Sequence, residues 1–176
     1  MQTIQLLLAK IILLSCFGCS MAGGLVDKSA ALAGLGPNEV KSIGVMAGAG
    51  QTPSALVVDV AFAYGDATTA VLTQSESSTW FREQGGFCRN YSNQLDVVRI
   101  ELPMGYSALL ADLPNGYELA QSIFVFVRGV GKADITKLSN PWIYVVNQEL
   151  SILTAPPGAT SSGNTTDAAK GAKIVC

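Results

Sequence analysis

Residues 54–64 (SALVVDVAFAY) place the tightest constraint on the fold. Leu56, Val58, Val60, Phe62 and Tyr64 fall on one side of an extended chain, and Val57, Asp59, Ala61 and Ala63 fall on the other. Successive side chains of a strand point to opposite faces, so this period of two, rich in β-branched and aromatic residues, reads as a half-buried strand. Other segments follow suit. Residues 41–47 (KSIGVMA) read as a first strand and 94–102 (QLDVVRIEL) as a second strong one. Residues 106–111 form a short edge strand, and 120–128 (AQSIFVFVR), apolar on both faces, suit a central position. Residues 142–146 and 150–153 make a last strand or strand pair, with a bend or bulge at Asn147 and Gln148.

Between these segments lie turns. Residues 47–53 (AGAGQTP) are a turn-rich loop, and 103–105 and Pro114-Asn115-Gly116 are turns. Residues 129–140 read as a loop, with a helical turn over 134–138. Residues 77–87 (SSTWFREQGGF) break the strand pattern: Ser78 or Thr79 caps a short helix carrying Trp80, Phe81 and Arg82, ended by Gly85-Gly86. Short strands, many turns and little helix predict a mainly β, two-sheet β-sandwich over residues 40–155, with a short helical insertion. Residues 156–176, rich in Gly, Ser, Thr and Ala, read as a flexible tail.

The N-terminus reads as a separate element. Residues 4–19 (IQLLLAKIILLSCFGC) hold an apolar run interrupted by Lys10. That run is too short for the ~20 residues of a membrane-spanning helix and suits the apolar region of a signal peptide. Its end resembles the bacterial lipobox, in which a small residue precedes a cysteine whose thiol takes up diacylglycerol. Leu13-Leu14-Ser15-Cys16 fits that pattern. Cys16-Phe17-Gly18-Cys19 fits at Gly18 but puts cysteine where leucine is preferred. Cleavage before Cys19 gives the longer apolar region and leaves Cys88 and Cys176 as an even pair. Both cysteines stay candidates for lipidation. The expected organisation is a signal peptide over 1–18, a flexible tether over 19–39, then the sandwich and the tail. Acylation adds about 0.8 kcal/mol per buried CH₂, and stable anchoring takes more than one chain. Ser20, rather than an aspartate, after Cys19 favours the outer membrane, with the domain facing the periplasm.

Composition narrows the function. The formal net charge of −2 offers no basic excess for a phosphate backbone, so nucleic-acid binding has no electrostatic support. The chain has no histidine, the commonest acid–base group and metal ligand near neutral pH. Its four cysteines show no metal-ligand spacing. No nucleophile–base pair can be assembled, and Asp59, Asp66, Asp96 and Glu101 read as solvated acids on sheet surfaces. The expectation is a protein without catalytic residues, metal or cofactor. Cys88 and Cys176 either form a disulfide, which would stabilise the fold by about 2–4 kcal/mol, or remain free thiols. Trp80 and Phe81 read first as core residues. With Tyr91 and Trp142 they would otherwise line a pocket for a small molecule or glycan.

The order of pieces resembles the outer-membrane lipoproteins of type VI secretion systems, the TssJ, VasD or SciN family. The residues that carry the resemblance are the first strand at 42–47, the loop at 47–54 and the apolar strand at 55–64. The insertion at 79–87, the Glu101-Leu102-Pro103-Met104-Gly105 step and the late strand at 122–128 extend it to roughly residues 40–153. The loop departs from the family in being short and lacking its usual asparagine-proline stretch. The resemblance implies a transthyretin-like sandwich anchored in the outer membrane. It also implies that the loop Ala47, Gly48, Ala49, Gly50, Gln51, Thr52 and Pro53 holds the periplasmic domain of a TssM-like inner-membrane protein.

Overall fold

The computed structural model describes residues 37–49, 55–110, 112–157 and 172–176. The chain divides into Met1–Gly36 and Pro37–Cys176, and the described residues all belong to the second unit. The lipidation candidates Cys16 and Cys19, and the signal peptide that contains or precedes them, lie outside the described residues.

The described chain is mainly β, with two sheets and two helices. Its elements run β1 (Ile43–Ala47), β2 (Leu56–Ala63), α1 (Asp66–Gln74), α2 (Ser77–Asn90), β3 (Leu95–Leu102) and β4 (Ser107–Leu110). A 3₁₀ turn (Tyr117–Leu119) follows, then β5 (Ser122–Val127), β6 (Gly131–Asp134), β7 (Trp142–Val146), β8 (Glu149–Leu153) and β9 (Ala172–Ile174). One sheet has the order β4-β1-β7-β8 and the other β6-β5-β2-β3-β9. β1 and β7 pair in parallel, and every other pairing is antiparallel.

The sheets face each other across one core. Ile43, Val45, Ile143 and Val145 enter it from the first sheet, and Val58, Val60, Phe62, Val98, Ile100, Ile123, Val125 and Val127 from the second. Every one of these is buried, and each such side chain removed from water contributes about 1.5–3 kcal/mol. The even-numbered face of β2 therefore points where the alternation placed it.

The odd-numbered face of β2 corrects the half-buried reading. Asp59, Ala61 and Ala63 are also buried, because both helices lie over the outer face of the five-stranded sheet. A second core forms there from Ala61, Ala63, Leu72, Trp80, Leu95, Val97, Phe124 and Phe126. Small side chains at 61 and 63 let the helices approach closely. Read as sequence, the same smallness passes for a solvent face.

α1 has no counterpart in the sequence reading. Its residues DATTAVLTQ are rich in threonine, a poor helix former, and its N-cap Gly65 makes no side-chain cap. The helix is secured at its other end instead. Lys132 Nζ of β6 donates to the carbonyls of Leu72 (3.2 Å) and Thr73 (2.6 Å), where a cation meets the negative end of the helix dipole. α2 was expected to stop at Gly85-Gly86 but continues to Asn90. Packing beyond the glycines overrides their propensity: Phe87 stacks on Trp80 with ring centroids 5.3 Å apart, and Cys88 is bonded to Cys176.

Three further boundaries shift. The loop expected over 129–140 begins with β6, a hairpin partner of β5 closed through Gly129 at φ 72°. Residues 134–138 hold no helix; a single turn closes where the Leu138 N–H donates to the Ile135 carbonyl at 3.0 Å. The tether does not extend to residue 39. Asn38 is buried, and its Nδ2 donates to the carbonyls of Tyr117 (2.8 Å) and Ala120 (3.0 Å), stitching the chain's entry to the 3₁₀ turn. At the far end, residues 172–174 of the expected tail form β9 on the edge of β3. The tail's residues 158–171 lie outside the described residues.

The outer face of the four-stranded sheet carries no helix among the described elements. Trp142 instead lies flat over Gly44, its register partner in β1. A Cβ at 44 would land inside the indole, so glycine is required by close approach.

Candidate functional site

Strand directions sort the connections into two poles. β1, β3, β5 and β7 all end at one pole, so the β1–β2, β3–β4, β5–β6 and β7–β8 connections gather there. The chain's entry at Pro37–Val40, the β4–β5 connection and the β6–β7 connection gather at the other. There the Glu39 N–H donates to the Thr136 carbonyl at 2.9 Å and the Lys41 N–H to the Ser139 carbonyl at 2.7 Å. The five residues of β1 separate the poles by about 16 Å.

The candidate docking loop sits at the first pole, with a narrower extent than expected. Ala47 belongs to β1 and is buried, and Gly48 is buried with its N–H donating to the Val145 carbonyl at 2.7 Å. Ala47 also exchanges backbone hydrogen bonds with the β3–β4 turn, to Tyr106 (2.9 Å) and Gly105 (2.8 Å). Those two residues are framework. Ala49 is exposed, and Gly50, Gln51, Thr52 and Pro53 lie outside the described residues. At the same pole stand Tyr106, which is 39% exposed, the half-buried Met104, and the β7–β8 turn. That turn places Asn147 and Gln148 at φ 50° and 63°, two consecutive positive values of the kind found in tight hairpin turns. The bend expected at this position is therefore a hairpin turn rather than a bulge.

The best-built polar cluster lies elsewhere, beneath α2. Asp59 is fully buried on β2, facing Arg99 of β3 in register. Arg99 Nε donates to Asp59 Oδ1 at 2.7 Å and its Nη2 to Oδ2 at 2.8 Å, a bidentate pair. Oδ2 also accepts from Trp80 Nε1 and from Gln84 Nε2, both at 2.9 Å. Gln84 Oε1 accepts from Arg99 Nη2 at 2.6 Å. The hydrogen bond to Asp59 raises the Arg99 guanidinium's affinity for its proton. Reading Asp59 as a solvated acid is thus corrected: it ties two strands to a helix. Four donated hydrogen bonds thus tie this one carboxylate to β3 and α2.

The aromatic candidates do not line one concavity. Trp80 is fully buried, stacked between Phe126 (4.6 Å) and Phe87 (5.3 Å). Phe81 is half-buried under two guanidiniums, Arg128 at 4.8 Å and Arg99 at 5.7 Å from its ring centre. Tyr91 packs beside the same helix-covered core, whereas Trp142 lies on the other sheet. Near the entry pole, Tyr64 donates to Asp96 at 2.8 Å, and burial together with that carboxylate pushes its phenol well above the ordinary range.

Cys88 of α2 and Cys176 are joined by a disulfide, 88 residues apart in sequence. Among the described residues no group of three or more His, Cys, Asp or Glu is placed to hold a metal ion. No described helix is long and apolar enough to cross a membrane.

No family model, curated protein or solved structure matches this chain.

Sequence reasoning missed the Asp59–Arg99 pair. The one signal for it was an acid in the middle of an otherwise apolar strand, with an arginine in the next strong strand.

Proposed function

We propose that this protein is a lipid-anchored structural component of a bacterial envelope complex. On this reading the lipid at Cys19 or Cys16 fixes the chain to the outer membrane, with the domain in the periplasm. The loop pole holds the periplasmic domain of an inner-membrane secretion component of the TssM kind. The observation that carries the reading is polarity: the chain enters the sandwich at one pole and the β1–β2 loop leaves from the other. An anchor at the entry side leaves the loops free to reach away from the membrane. The resemblance to the type VI secretion lipoproteins supports the same reading, through a loop in the same place in the strand order. The task is tethering, and nothing in the Asp59 cluster calls for catalysis.

Binding tests it. The full chain, extracted from membranes in detergent, is expected to retain the periplasmic domain of a TssM-like partner. Replacing residues 49–53 with a glycine-serine segment of equal length should weaken capture at least tenfold, while leaving the unfolding transition unchanged. Equal capture by the replaced and native proteins would count against the loop as the docking element.

A further inference from the structure

We infer that β9 is a clasp on the open edge of the five-stranded sheet, held shut by the Cys88–Cys176 disulfide. This inference is independent of the tethering reading. β9 has three residues, paired with Val98, Arg99 and Ile100, and the Val175 N–H extends the ladder to the Val97 carbonyl at 2.9 Å. Residues 158–171, which lead to it, read GATSSGNTTDAAKG and carry no large apolar side chain. So short a strand, at the end of such a stretch, gains few backbone hydrogen bonds against the entropy of ordering it. Pairing of β9 therefore depends on something that keeps it near β3.

The disulfide does that. Cys88 sits in α2, which is bound to the sheet through Trp80 and Gln84 at Asp59. Bonding Cys176 to it places residues 172–175 beside β3, so pairing no longer requires closing a long loop. Without β9, β3 is the sheet's edge: eight residues, LDVVRIEL, with the backbone of Val97 and Arg99 facing outward. An edge of that length presents unpaired backbone N–H and C=O groups to which another chain can pair.

The chemistry balances. In closing, the thiols of Cys88 and Cys176 give two electrons to the disulfide of a thiol oxidoreductase, and their two protons end on the dithiol it becomes. In opening, a dithiol supplies two electrons, and Cys88 and Cys176 each take up one proton. Both cysteines are half-buried, so a reductant can reach the bond. The edge is then open in a reducing compartment and closed in an oxidising one.

Residue-resolved hydrogen exchange on the full chain tests the clasp, comparing the oxidised protein, the protein reduced with a phosphine, and the Cys88→Ser/Cys176→Ser double variant. The amides of Val97 and Arg99 are expected to lose protection at least a hundredfold in the reduced and variant proteins, while the amides of Val58, Val60 and Phe62 keep theirs. Unchanged protection at Val97 and Arg99 would overturn the inference, because β9 would then hold without the bond. Loss of protection in β2 as well would also overturn it, because the bond would then support the whole fold rather than one edge.

Discussion

Replacing Asp59 with alanine is expected to destabilise the domain by about 3–5 kcal/mol, the range for removing one partner of a buried ion pair. The carboxylate is fully buried and accepts from Trp80, Gln84 and, twice, Arg99. Its loss strands a guanidinium whose side chain is only 16% exposed, and leaves the indole N–H without its acceptor. Urea unfolding followed by circular dichroism should show a lower midpoint at unchanged slope. The companion variant Asp59→Leu/Arg99→Met removes both charges. It should recover much of the loss, because the cost lies in the unpaired charge more than in the lost attraction. A single-variant effect below about 1 kcal/mol would mean that Arg99 turns out to solvent, and that the pair does not bind helix to sheet.

Trp80→Ala should cost a similar amount, about 3–5 kcal/mol, for a different reason. The indole fills the space between α2 and the sheet, stacked on Phe126 and Phe87. Truncation opens a cavity between α2 and the sheet, which adds to the lost burial. Trp80→Phe should retain part of the stability by keeping the stacking while giving up the hydrogen bond to Asp59. The same urea titration checks both, and a phenylalanine variant as unstable as the alanine one would place the weight on the hydrogen bond.

How much was legible follows from these two residues. The strands were readable because alternation reports a buried face directly, as in Val58, Val60 and Phe62. β5 was readable as an interior strand, paired on both sides, because both of its faces meet apolar partners, Ile123 and Val125 in one core and Phe124 and Phe126 in the other. The second core was not readable, since Ala61 and Ala63 look the same whether they face water or a helix. α1 stayed hidden because threonine-rich sequence argues against a helix, and what holds it, Lys132, is 60 residues from Leu72. β9 stayed hidden because its pairing is supplied by a distant strand and a disulfide rather than by its own three residues. As for the candidate docking loop, which of its described residues are framework was not readable. Ala47 and Gly48 are committed to the sheet by hydrogen bonds to Tyr106 and Val145 that no local pattern announces.

Tethering stands or falls with the chemistry at the chain's start. Intact-mass and peptide mass spectrometry of the protein taken from bacterial membranes tests it most directly. The expected first peptide begins at Cys19, or at Cys16, and carries the added mass of a diacylglyceryl group with a further acyl chain on its amine. A mature protein that retains Met1, or one that begins after Cys19 with no fatty acid attached, would contradict the anchor and with it the tether.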